Sequence, residues 1–206
     1  MSVALPLLAL LAAGPDTADV LRALEEAGRA LKTMKAAFVQ TKVITLLDEK
    51  EETRGDVLLS VPGRLQWNYT APQPSAMLIK DGQFSRYFPR TKQVFRGPAR
   101  GEADLLVGFG PGAAGLGNKY EVKLSGEETV GKIAAHVLDL RPRSDGALFK
   151  TIRLWVDKQR HIPVQTRLEE PTGDYTVIRF DDVVVNGPLP AGAFDLKLPK
   201  DAIEVK

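Results

Sequence analysis

Cysteine is absent from all 206 residues. That excludes disulfides, thiol nucleophiles, thiolate metal sites and a lipid-modified N-terminal cysteine. Histidine is scarce: His136 and His161 are the only two, and neither stands at a metal-ligand spacing from another ligand, so no metal is expected. Neither sign of charge dominates. With 28 lysines and arginines against 26 aspartates and glutamates, the net charge of +2 gives no footprint for nucleic acid or an anionic membrane. Long hydrophobic runs are missing too. Val3 to Ala13 is apolar but too short to span a bilayer. Its length and its small-residue exit at Ala12-Ala13-Gly14 fit a signal-peptide core, although no lysine or arginine precedes it. Residues 1–15 are therefore expected to be a signal peptide and residues 16–206 one exported domain.

Catalytic motifs are also lacking. There is no G-x-S-x-G elbow, and no serine or threonine has an evident base partner in sequence. Gly110-Pro111-Gly112-Ala113-Ala114-Gly115 formally matches the dinucleotide-binding G-x-G-x-x-G. That motif needs a helix after it, whereas the following segment alternates like a strand, so a mobile loop is the better reading. The acidic groups Asp48 to Glu52, Glu127-Glu128 and Asp181-Asp182 fall at turns or strand ends, as solvated surface does. The expectation is a protein that is not an enzyme and carries no cofactor.

What is present is one helix pattern and many strands. Val20, Leu24, Ala27, Leu31, Met34 and Phe38 recur at three- and four-residue steps, predicting a long helix capped by Asp16 or Thr17. From Phe38 onward the period is two. About eleven strands follow, joined by short turns such as Lys80-Asp81-Gly82, which predicts an antiparallel sheet that curls. A short helix is expected in the segment ending at Phe109. On the strand RLQWNYT, Leu65, Trp67 and Tyr69 point one way, and Arg64, Gln66 and Asn68 point the other, toward water. So few helices cannot cover so large a sheet. It must close on itself, fold into a sandwich, or wrap the helices and leave an apolar cavity.

Four stretches together carry a resemblance over roughly Asp19 to Val205. They are Phe38-Val39-Gln40-Thr41; Gly55 and Leu59 with Pro62-Gly63-Arg64-Leu65-Gln66-Trp67-Asn68-Tyr69 and Pro72; Ile79-Lys80-Asp81-Gly82 with Tyr87 and Pro89; and Trp155-Val156-Asp157, Pro163, Gly173-Asp174, Phe180, Asn186, Phe194 and Pro199. In order and spacing the chain resembles LolA, the periplasmic outer-membrane lipoprotein carrier family. The resemblance implies a mainly β fold: a single curled antiparallel sheet forming an unclosed barrel, with helices as a lid over an apolar cavity. It also implies a periplasmic monomer that takes acylated lipoproteins from an inner-membrane ABC transporter to an outer-membrane acceptor, with no nucleic acid as partner.

On that reading the cargo would meet Phe38, Leu65, Trp67, Tyr69, Met77, Ile79, Phe84, Tyr87, Phe95 and Trp155, some of them exclusive alternatives by strand parity. Leu65 is expected near the mouth. Val61, Leu105, Leu106 and Phe109 would form the lid or its latch. The family commonly has an arginine where this chain has Val61, and that arginine hydrogen-bonds lid backbone; the lid here must be latched otherwise, or the cargo differs. An alternative on the same fold is a sensing or binding protein for another lipidic cargo.

Overall fold

The computed structural model describes residues 15–99 and 106–205; the apolar run expected as a signal peptide, and Leu105, lie outside them. Helix α1 (Thr17–Ala30) begins where the Asp16 carboxylate accepts from the Asp19 amide at 2.8 Å. It ends sooner than its apolar stripe predicts, because Met34 and Phe38 belong to a strand. A four-residue step satisfies both the helical period and the strand period of two, so the stripe runs on past the true end. The break comes at Leu31, which is extended, and at Lys32 and Thr33, whose amides donate to the Asn186 side chain at 2.7 and 3.4 Å.

Twelve strands follow: β1 (Thr33–Ile44), β2 (Glu49–Ser60), β3 (Arg64–Ala71), β4 (Ser75–Lys80), β5 (Gln83–Phe88), β6 (Gln93–Pro98), β7 (Tyr120–Val130), β8 (Ile133–Pro142), β9 (Thr151–Asp157), β10 (Pro163–Glu169), β11 (Tyr175–Val185) and β12 (Ile203–Val205). They form one sheet in the order β12-β6-β5-β4-β3-β2-β1-β11-β10-β9-β8-β7. All pairings are antiparallel except that of β12 with β6. The sequence predicts one strand fewer. β12 has three residues and pairs in parallel, so no hairpin turn announces it.

This order dictates two long crossings. β6 and β7 lie toward opposite ends of the sheet, and residues 106–119, which come between them in the chain, lie on the concave side. This segment contains helix α2 (Leu116–Lys119) and packs beside α1 over the sheet. β11 lies at the centre and β12 at one edge, so the chain between them crosses the convex side. There Phe194, with Leu189, Ala193 and Leu196, packs on Leu58 and Leu78. Gln66 is paired with both of these leucines across the sheet. It is therefore buried, contrary to the expectation that it faces water, and its amide donates to Asn68 at 2.7 Å.

The main core fills the concave side, where α1, the crossing segment and the inward faces of the strands meet. Gly55 is essential to its packing. A Cβ there would lie 1.7 Å from the Asn68 carbonyl oxygen and 2.9 Å from Cε1 of Phe38. The Phe38 ring therefore lies across bare backbone. Gly55→Ala forces both neighbours away and should destabilise the fold by about 1–3 kcal/mol, read as a lower urea midpoint at unchanged slope.

On the convex side Arg153 grips Asp139 through Nε at 2.6 Å and Nη2 at 3.0 Å. This pairing holds the Asp139 carboxyl below the usual carboxylate range against the opposing effect of burial, with the Ser125 hydroxyl assisting. A carboxyl depressed by folding contributes stability at neutral pH that is lost as pH falls through its folded-state pKa. Asp139→Asn should therefore be less stable than the parent at neutral pH, and the gap should narrow in acid. Equal gaps at the two conditions in urea titrations would contradict this account.

Candidate functional site: an apolar cavity beneath the crossing segment

Cross-strand register sorts the side chains by face. Leu65 and Trp67 on β3 stand opposite Ile79 and Met77 on β4, and all four belong to the concave core. Phe38 joins them from β1, and Tyr69 and Phe84 pack against the same core while partly exposed. Phe84, Arg86 and Phe88 alternate inward on β5, so Tyr87 points outward, opposite Ala76. Phe95 stands opposite Arg86 and is inward, but it packs edge-on against Phe88 at 5.9 Å near the sheet edge.

Two expected lining residues are thus on the wrong side. Tyr87 faces the convex surface, as Leu78 does. Trp155 packs with Ala135, Val137 and Val164 in a separate cluster, and its indole N–H donates to Glu128 at 2.8 Å. Both strands carry apolar residues on both faces, and parity alone cannot say which face is inward.

The inward aromatic rings form a connected layer. Phe38 and Trp67 have centroids 4.8 Å apart, Trp67 and Phe180 6.3 Å, and Phe180 meets Phe109 edge-on at 5.1 Å. Phe109 comes from the crossing segment, so the layer ties that segment to β1, β3 and β11. The expectations missed Phe180. It faces Phe38 because β1 pairs with β11, more than a hundred residues away in the chain, and no local pattern reports that pairing.

The crossing segment buries Leu106, Val107, Phe109, Ala113 and Leu116. It is more ordered than a glycine-rich loop suggests, with a 3-10 turn at Gly110–Gly112 before α2. Among the described residues, the backbone hydrogen bonds of residues 106–115 all run within the segment: Phe109 N–H to Leu106, Gly112 N–H to Phe109, Ala113 N–H to Gly110, Ala114 N–H to Pro111 and Gly108 N–H to Gly112. Among the described residues, that stretch reaches the sheet through buried side chains, while α2 is tied to the end of β8 by Arg143, whose Nε donates to the Gly117 carbonyl at 3.2 Å and whose amide donates to the Lys119 carbonyl at 2.9 Å.

Val61 takes part in that packing. A Cβ built on Gly110 would lie 3.2 Å from Val61 Cγ2, 3.5 Å from Leu31 Cδ2 and 3.7 Å from Leu59 Cδ2. Val61 thus faces the segment through van der Waals contact, and its own amide donates to the Lys32 carbonyl at 2.8 Å.

Beneath the segment lies a cavity of about 320 Å³, walled by Leu59, Leu65, Ile79, Leu106, Val107 and Phe109. Arg64 and Lys119, both exposed, stand at its rim. The volume is at the low end of the roughly 300–1,000 Å³ usual for small-molecule sites. Among the described residues no group of histidine, aspartate and glutamate is disposed to hold a metal ion, and no helix is long and apolar enough to cross a membrane. The arrangement can shelter apolar matter beneath a cover whose residues 106–115 make, among the described residues, no backbone hydrogen bond to the sheet.

The contact of the cover with α1 is tight. A Cβ on Gly28 would lie 2.4 Å from the Ala113 Cβ and 2.9 Å from the Gly110 carbonyl oxygen. Gly28→Leu should push residues 110–113 off the helix. The expected result is stronger binding of an apolar fluorescent dye and faster proteolysis between residues 106 and 119, with the sheet intact by circular dichroism. Unchanged dye binding would show that the cover does not depend on this contact.

Comparisons with known proteins agree with this architecture. The model of the family described as outer membrane lipoprotein carrier protein LolA matches residues 29–197. The outer-membrane lipoprotein carrier protein of Pseudomonas fluorescens is 30% identical over 203 residues, covering 96% of this chain and 94% of the relative. That of Chromohalobacter salexigens is 30% identical over 160 residues, covering 74% and 70%. In fold, the crystal structure of an uncharacterized conserved protein from Thermus thermophilus is similar, with a TM-score of 0.59, 16% identity, and coverage of 91% of this chain and 97% of that one. The family match spans every strand but β12, most of the last crossing and the cover, and the chain belongs to the LolA family of outer membrane lipoprotein carrier proteins.

Proposed function

We propose that this protein carries acylated lipoproteins through the periplasm, receiving them from an inner-membrane transporter and delivering them to an outer-membrane acceptor. The acyl chains enter the concave side beneath residues 106–119, against Phe38, Leu65, Trp67, Tyr69, Met77, Ile79 and Phe84. The observation that carries this reading is an apolar cavity under a cover whose residues 106–115, among the described residues, meet the sheet through apolar side chains.

The energetics suit a carrier. Each methylene withdrawn from a membrane costs about 0.8 kcal/mol, so a chain of about fifteen carbons resists leaving by ~12 kcal/mol. The empty protein shields its apolar lining with Leu106, Val107 and Phe109. Cargo chains replace these side chains like for like, so loading exchanges one set of apolar contacts for another. Because the cover recovers its own burial when cargo leaves, unloading is assisted as well. Val61, Leu106 and Phe109 form the latch, an apolar one. The protein contributes shelter and performs no chemistry on the cargo.

The test uses membranes bearing lipoprotein and the cognate transporter, with ATP and the purified protein. Lipoprotein should appear in the soluble fraction in complex with the carrier. Leu65→Trp fills the cavity with apolar volume and should cut release by about tenfold, equivalent to 1.4 kcal/mol. Its effect counts only if the unfolding midpoint is retained. No release by the parent protein, from a transporter shown active on another carrier, would overturn the proposal.

A further inference from the structure

The concave trough continues past the aromatic layer, away from the cover, and changes character there. Along β1 the inward side chains run from Phe38 to Gln40 to Lys42; Thr53 and Glu51 on β2 stand opposite the last two. With Tyr69 and Arg86 they wall a cleft of about 350 Å³ that shares no lining residue with the cavity beneath residues 106–119.

Arg86 is the unusual member. Its guanidinium carbon lies 5.5 Å from the Tyr69 ring centroid and 5.0 Å from that of Phe88, so the plane is framed by two aromatic faces. Its Nε is shielded from solvent and has no hydrogen-bond acceptor. Among the described residues no carboxylate lies within ion-pair distance of it. Two neighbours share this condition: Gln40 Oε1 and Thr53 Oγ1 are shielded and unpartnered. Buried polar atoms ordinarily find partners, since leaving one without costs about 1–3 kcal/mol. Three such atoms gather around this one cleft, so a polar ligand bound there would meet hydrogen-bonding groups that the protein leaves unused.

The charge narrows the choice. Arg86 and Lys42 face a single carboxylate, Glu51, so the cleft carries an excess of positive charge. A stacked guanidinium with free N–H groups fits a planar or tetrahedral oxyanion. The Thr53 hydroxyl can donate alongside it, and so can the Gln40 amide after a half-turn about its last bond. Burial pushes the Tyr69 phenol up, against the opposing charge of Arg86, which keeps its hydroxyl a neutral donor. The Tyr69 and Phe88 rings supply apolar wall for the matter attached to the anion.

We propose that this cleft is a second binding site, for an oxyanion group such as the phosphate of a lipid headgroup, held by Arg86 with Lys42, Thr53 and Gln40. It shares no lining residue with the cavity beneath residues 106–119 and stands whether or not the carrier reading does.

The experiment follows the Arg86 Nε–Hε resonance by NMR in the purified protein. Three probes are titrated: dihexanoyl phosphatidic acid below its micelle concentration, inorganic phosphate, and uncharged dihexanoyl glycerol. The phosphatidic acid should shift the resonance saturably. The same affinity for inorganic phosphate would identify a free oxyanion as the ligand; tighter binding of the lipid would identify a headgroup. Arg86→Gln should weaken binding at least about tenfold, read from the remaining perturbed amides around Thr53, and Leu65→Trp should leave it unchanged. Saturable shifts with the uncharged lipid equal to those with the phosphatidic acid would overturn the proposal, as would no shift with any probe. If Arg86→Gln does not fold, the charged-against-uncharged comparison on the parent protein decides the matter alone.

Discussion

The run of ring contacts from Phe38 through Trp67 and Phe180 to Phe109 is the joint on which this molecule turns. Three of those rings stand on β3, β1 and β11 near the centre of the sheet, with only β2 between the first two, and the fourth belongs to the segment that crosses above it. The layer lies between the cavity under the cover and the cleft beyond it, which share no lining residue. It also sets how near the cover sits. The rings can approach so closely because Gly55 offers no side chain beneath Phe38.

Above the layer the cavity walls are apolar, with Arg64 and Lys119 at the rim, and apolar side chains hold residues 106–115 against them. Val61 meets the cover through a methyl group. An arginine would give the closed state directional bonds that must be broken before opening. Side-chain burial gives a cover whose stability scales with the area it hides, and cargo of the same polarity competes for that area directly.

Much of this was legible in the sequence, for definite reasons. Asp16 capped the helix as its position before the stripe suggests, and Asp81-Gly82 made the two-residue turn between Lys80 and Gln83. The inward set Leu65, Trp67, Met77 and Ile79 followed from strict alternation on strands with one clearly larger face. Alternation failed where both faces are apolar. On β9 Ile152, Leu154 and Val156 face the core while Trp155, the largest residue, faces away; Tyr87 on β5 behaves in the same way. The burial of Gln66 and the pairing of Phe38 with Phe180 depend on segments far along the chain, and strand order carries that information, not local composition. Arg86 was invisible for a different cause: a lone arginine on a strand reads as surface, and only the surrounding rings reveal it.

An unclosed sheet has two edges, and each is a template on which another molecule could grow its own strand. Here one edge is occupied by β12, clamped in register by ion pairs from Lys92 to Asp201 and from Arg96 to Glu204 at 3.7 Å. The other, β7, exposes Glu121, Lys123, Glu127 and Glu128 along its length. The barrel can thus stay incomplete, as a trough with an exchangeable cover must, while a crowded solution of identical troughs has no inviting seam along which to zip into fibres.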